Sequence, residues 1–222
     1  MRDLTDVFIA HNAGLGSVYD VEAEGPGRLS PPAVEYEAKA SVIHQRLSSL
    51  PSAYTPGHAA SDDWVYETCR IAALIYTTAI IMRVPFSVAA NFSHHHHEPP
   101  DAGSSAKPSA GDDPTTRLTE ALYGSLGRTD IANLWNNMTG VLYWVCAVGA
   151  AAARMPSTID MTAQTRLQNE AYSVWVRRCL IMTSTRTMIV LIFQHPVPML
   201  IAQKRLLKVQ ELIGTGDVRG PE

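Results

Sequence analysis

Apolar residues recur at helical spacing along most of this chain, and one stretch carries the pattern most clearly. From Val65, through Cys69, Ala72, Tyr76, Ala79 and Ile80, apolar positions repeat every three or four residues, while Glu67, Arg70 and Thr77 share a narrow polar stripe. Ser61 is placed to cap the first turn, and Asp62 and Asp63 put negative charge at the positive end of the helix dipole. Pro85 stops the helix, because a proline disfavours helical geometry in the residue before it. The pattern predicts a central helix over Trp64–Met82, about 30 Å long and covered on most of its surface. Arg70 is its informative polar residue. One reading pairs it with Glu67 one turn back or sets it on a neighbouring helix's carbonyls; the other gives it a ligand or regulatory contact.

Further helices follow from the same reasoning. Ser30-Pro31-Pro32 is a good entrance for a helix running to about Leu50, with Val34, Ala38, Val42 and Leu47 inward and Glu35, Lys39 and Arg46 outward. Asp113-Pro114 opens another, carrying Leu118, Ala121, Leu122 and Leu126 and limited by Gly124 and Gly127. Ile131 to Ala153 holds no charged residue. Asn133, Asn136, Asn137 and Thr139 leave an apolar run of about 14 residues there, short of the ~20 a spanning helix needs, so a buried core helix is expected instead of a membrane span. Leu134, Met138, Val141, Val145, Val148 and Ala152 form one stripe of it, and Cys146, Gly149, Ala150 and Ala153 a strip of small side chains that lets another helix approach. Trp135 and Trp144 read as core anchors.

From about Thr162, Leu167, Ala171, Val174 and Trp175 predict a broad apolar face, and Met188 to Phe193 extend it as a buried run until Gln194-His195-Pro196-Val197-Pro198 breaks it. The last helix keeps Met199, Ala202, Leu206, Val209 and Ile213 on one stripe, with Gln203, Lys204, Lys208 and Glu211 outside, and stops at Gly214. That stripe serves the chain's own core or a partner.

These elements predict an all-α chain, an irregular bundle of about six to eight helices. Residues 1–30, with Gly14, Gly16, Gly25, Pro26 and Gly27, read as an irregular arm. Residues 31–213 read as one helical domain with a low-complexity insertion at about 93–113, and 214–222 as a tail. No repeat of fixed period occurs.

Composition narrows the chemistry. The 222 residues are 46% hydrophobic, enough for a sizeable core. A formal charge of -3 offers no basic footprint for nucleic acid. Cys69, Cys146 and Cys179 are scattered through apolar segments and read as buried thiols in a reducing compartment. The first residues lack the basic head and apolar run of a secretory signal, so an intracellular protein is expected. His94 to His97 are adjacent, and alternating directions suit adventitious nickel or zinc better than a built site. Glu98, Asp101, Asp112 and Asp113 read as solvated acids. No Gly-x-Ser-x-Gly elbow, His-Glu-x-x-His helix or lysine-bearing phosphate loop occurs. No catalytic, cofactor-binding, metal-binding or DNA-binding residue is therefore assigned, and Glu67 with Arg70 form the one candidate polar site. A small-molecule-binding helical bundle, or an enzyme of that architecture, is the alternative on these grounds.

A resemblance goes further. WVYETCRIAALIYTTAIIMRVPFS, followed by LTEALYGSL and LWNNMTGVLYWVCAVGAAAA, resembles the fungal-specific regulatory domain of the binuclear zinc-cluster transcription factors. The likeness runs over about residues 35–213 and is best at Trp64–Phe86 and Leu134–Ala153. It implies an all-helical, non-catalytic domain that controls transcription in the nucleus through other parts of the factor, co-regulators or a small-molecule inducer, with room for a homodimer. Members of that family bind DNA through an N-terminal six-cysteine cluster holding two zinc ions, and six converging thiolates are absent here. Zinc and DNA contact are thus carried over to no residue. The chain is expected to be either a fragment without that head or a stand-alone regulatory domain.

Overall fold

The computed structural model describes residues 2–17, 31–91, 117–154 and 163–214. Among them are eight α-helices and no strand: α1 Arg2–Ser17, α2 Pro31–Ser48, α3 Trp64–Met82, α4 Phe86–Ala89, α5 Leu118–Gly127, α6 Thr139–Ala152, α7 Ala163–Gln194 and α8 Pro196–Gly214. The architecture is an all-α, multi-helix bundle.

Helix α3 is its axis. α2, α4, α5, α6 and α8 all contact it, and every residue from Arg70 to Ile80 is buried. The polar stripe expected along Glu67, Arg70 and Thr77 does not face solvent: all three are buried, and Thr77 returns its hydroxyl proton to the Ala73 carbonyl at 2.8 Å. The start of α3 also differs from expectation. Asp63, not Ser61, is the cap, its carboxylate accepting from the Tyr66 N–H at 2.9 Å. Ser61 instead donates to the Thr55 carbonyl at 2.6 Å. At the far end Arg83 takes a left-handed conformation (φ 52°) and Val84 N–H bonds the Ala79 carbonyl at 3.1 Å, so the turn is closed before Pro85 is reached.

The irregular arm expected at 1–30 is corrected over Arg2–Ser17, which form α1. Its glycines lie in the last turn, while Leu4 and Phe8, one turn apart, are buried in the main core. The Thr5 hydroxyl hydrogen-bonds the Tyr76 hydroxyl at 2.7 Å, and Asp6 pairs with Arg205 at 3.0 Å, tying α1 to α3 and α8. Tertiary burial of an i, i+4 pair outweighs the weak local propensity of the glycines.

α2 is rotated from its expected setting. Ala38 and Val42 are exposed, and Ala40, Ile43 and His44 turn toward the bundle. The expected helix at 131–153 is shorter: Ile131 to Trp135 form turns, Asn136–Met138 a 3-10 turn, and α6 begins at Thr139. Leu134, Met138 and Val141 are exposed, whereas Leu142, Val145, Cys146, Val148 and Gly149 are buried. Trp135 is a core anchor as expected, its indole N–H donating to Thr129 Oγ1 at 2.9 Å. The small-residue strip also works as expected. A Cβ on Gly149 would lie 3.0 Å from Leu122 and 3.1 Å from Leu180, so α5 and α7 approach α6 closely there.

α7 departs most from expectation. It is one helix through Gln194, with Val176, Leu180, Thr187 and Leu191 buried, whereas Val174, Trp175, Ile189, Val190, Ile192 and Phe193 are exposed. On α8, Met199, Leu206, Val209 and Ile213 are buried as expected and Ala202 is exposed. The insertion at about 93–113, the His94–His97 run, its acids, the Asp113-Pro114 entrance, Gly25, Pro26 and Gly27, and tail residues 215–222 lie outside the described residues.

Candidate functional site

Glu67 and Arg70 stand one turn apart on the first half of α3, so their side chains meet. Arg70 grips Glu67 with two bonds, Nε to Oε2 at 2.9 Å and Nη2 to Oε1 at 2.7 Å. The pair is buried, with side-chain exposures of 8% for Arg70 and 2% for Glu67. The segment entering α3 supplies the rest. Ser52 Oγ donates to Oε1 at 2.8 Å, and the Ala53 N–H donates to Oε2 at 3.0 Å. Each carboxylate oxygen therefore receives one bond from the guanidinium and one from the 51–53 loop.

The electrostatics agree with this geometry. Burial by itself pushes the Glu67 carboxyl up, but the Arg70 bonds, the Ala53 N–H and the Ser52 hydroxyl together outweigh it and hold the group below the usual carboxylate range. A carboxylate so held and so fully bonded is a poor base. Its chemistry is mechanical, since it fastens an otherwise irregular loop to the central helix.

The same loop is fastened a second time. Tyr66 donates its hydroxyl to the Pro51 carbonyl at 2.8 Å. Tyr54 meets Trp64 edge to face at 4.9 Å, and the Arg128 guanidinium lies 4.2 Å from the Trp64 ring centre and 5.3 Å from that of Tyr54. Left-handed turns at Gly57 (φ 83°) and Asp62 (φ 62°) let the loop double back between these anchors. Ser52, Ala53 and Arg128 were not legible as site residues. The partner of Glu67 includes a backbone N–H, which has no side-chain signature, and Arg128 lies far away in sequence.

Two thiols are held inert by burial. Burial pushes the Cys146 thiol up to about 12 and the Cys69 thiol up to about 11, which leaves both protonated and unreactive at neutral pH. Among the described residues, no three or more His, Cys, Asp or Glu converge on a point. A cleft beside Arg117, Tyr172 and Val176 has a volume of about 10 Å³, room for roughly one water molecule. By length and composition α3 could cross a membrane, but 72% of that apolar stretch is buried inside the bundle. α6 has 14 residues, fewer than the ~20 of a span.

The class that this fold and site define is an all-α bundle around a central helix whose buried Glu67–Arg70 pair holds a loop. Compared with known proteins, the chain matches no family model, no curated protein and no solved structure.

Proposed function

We propose that this chain is a regulatory domain of a fungal transcription factor, acting in the nucleus through other parts of the factor, co-regulators or a small-molecule inducer, without a DNA-binding cluster of its own. The observation that supports this reading is the position of the two stretches that carry the resemblance. Trp64–Met82 and Thr139–Ala152 pack on each other at the centre of the bundle, with Tyr76 against Trp144 edge to face at 5.6 Å. The residues that carry the resemblance are thus also those that organise the bundle.

Fused to a heterologous DNA-binding domain, the chain is expected to raise or lower reporter output. A folded fusion that neither activates, represses nor responds to added metabolites argues against the reading. Arg70→Ala separates a structural from a regulatory role for the ion pair: reporter output should follow the loss of folded protein, and a change in output at unchanged stability would assign Arg70 a contact outside the fold. Turnover of a metabolite by the purified chain would favour an enzyme instead.

A further inference from the structure

α7 and α8 meet at His195, the one residue between them that belongs to neither helix. The inner side of this corner is seated in the bundle, where Leu191 of α7 and Met199 of α8 pack with Tyr143 of α6. Its outer side is bare. Seven consecutive residues, Ile192 to Pro198, are exposed, with Phe193 at 85% and Val197 at 64%, and Ile189, Val190, Leu200 and Ile201 widen the apolar surface on both sides. Exposed apolar patches rimmed by polar residues mark contact sites for proteins or membranes.

The charges around this patch follow a set order. No Lys, Arg, Asp or Glu lies from Thr187 to Gln203, and Arg186 and Lys204 stand at the two ends of that stretch, both exposed. On α7 the steps from Phe193 through Ile189 to Arg186, and on α8 those from Val197 through Ile201 to Lys204, are of three or four residues, so each cation shares its helix face with an apolar tip. Each stands two turns, about 10 Å, behind that tip. Exposed Arg178 lies farther back on α7. From Ala171 to Gln210 there is no acidic residue, in a chain whose formal charge is -3. Of the remaining cations there, Arg205 is paired with Asp6 and Lys208 with Glu211.

We propose that the α7–α8 corner docks on an anionic lipid surface, with Phe193 and Val197 entering the acyl boundary and Arg186, Lys204 and Arg178 resting among the headgroups. Shape selects lipid over a peptide. A run exposed at every position stands out from the bundle, whereas a peptide helix docks by lying in a groove. A fluid apolar phase can close around a projection. Depth agrees: apolar faces at a membrane surface sink about 5–10 Å, which leaves cations two turns behind the tips at headgroup level. Their long stems can lie along apolar surface while the charged heads reach phosphate. The same cations, unanswered by acid, oppose pairing of this face with itself. The inference rests on the corner alone and is independent of the regulatory reading.

The test is flotation of the full chain with vesicles of equimolar phosphatidylcholine and phosphatidylserine, against vesicles of phosphatidylcholine alone. Binding to the anionic vesicles is expected, and added sodium chloride should weaken it by screening the exposed charges. Phe193→Ser and Val197→Ser should each weaken it about tenfold, the worth of one large apolar side chain leaving water. Arg186→Gln and Lys204→Gln should each weaken it about fivefold, as for one cation near an anionic surface. Helical circular dichroism should not change. All four side chains are exposed, and if one variant unfolds, its counterpart on the other helix carries the test. No binding to anionic vesicles at low salt, equal binding to the neutral vesicles, or binding indifferent to both serine variants overturns the proposal. So does a chain that ignores vesicles but self-associates, or captures a helical Leu/Glu peptide, through Phe193.

Discussion

α3 and α7 are both long and rich in apolar residues, and the bundle treats them in opposite ways. α3 is enclosed on every side from Arg70 to Ile80, and its two charged residues, Glu67 and Arg70, are buried and pair with each other. α7 is enclosed on one side, so residues of the same apolar character remain in water. Ile75 on α3, wholly buried, and Phe193 on α7, 85% exposed, mark the extremes. An apolar run shows how much surface a chain can bury; the neighbours show how much it does.

The sharpest way to break this contrast is at the α3 clamp. Glu67→Ala or Arg70→Ala strands a buried charge, and Glu67→Ala also strands the Ser52 hydroxyl and the Ala53 N–H. Each is expected to cost about 3–5 kcal/mol in chemical denaturation. Replacing both by apolar residues of similar size should recover most of that loss, and a double variant as unstable as the two single costs added together would show that the pair is not coupled.

Next comes the close approach of α5, α6 and α7. Gly149→Leu should overpack against Leu122 and Leu180 by about 1–3 kcal/mol. Gly149→Ala should be nearly neutral, because the ~1 kcal/mol that alanine gains in a helix offsets a shift of a few tenths of an ångström in two flexible leucine ends. A denaturation midpoint unchanged by Gly149→Leu would mean that the helices part easily there.

Acid should reveal the clamp without mutation. The folded-state pKa of Glu67 is depressed, so its stabilisation is complete above the unfolded value near 4.5 and is lost as pH falls through the lower folded value. The difference in stability between wild type and Glu67→Gln should therefore shrink as pH drops below about 4.5. A difference that stays constant to strong acid would show that the carboxylate charge is not what holds the loop.

Arg128→Gln removes the cation from Trp64 and Tyr54 and should cost about 0.5–1 kcal/mol, the usual worth of such contacts near a surface. Last, Phe193→Ser on the outer face of α7 should change the stability of the monomeric fold by less than about 0.5 kcal/mol. A larger loss would mean that this face is covered in the folded chain and that the contrast with α3 is false.

Much of this was legible from residue order. Helical periodicity, the extent of α3, the Glu67–Arg70 spacing, the anchoring of Trp135 and the small strip around Gly149 are properties of local sequence, because i, i+3 and i+4 neighbours meet on any helix. The arm was misread because its glycines are local signals and the burial of Leu4 and Phe8 is not. Val42, Val141 and the Met188–Phe193 run were placed inside for the same reason: apolar character does not say which of two faces a neighbour will occupy.

The amino-acid sequence by itself determined that this chain is helical, where its central helix lies, and that Glu67 and Arg70 would meet upon it. Only the tertiary structure decided that Ser52 and Ala53 complete the clamp, that Arg128 seals the loop over Trp64, and that one apolar side of α7 is left in water. The reason is physical. Backbone hydrogen bonds and one-turn contacts are set within a few residues, whereas burial is a property of surfaces brought together from distant parts of the chain, and those carry no mark of each other until they pack.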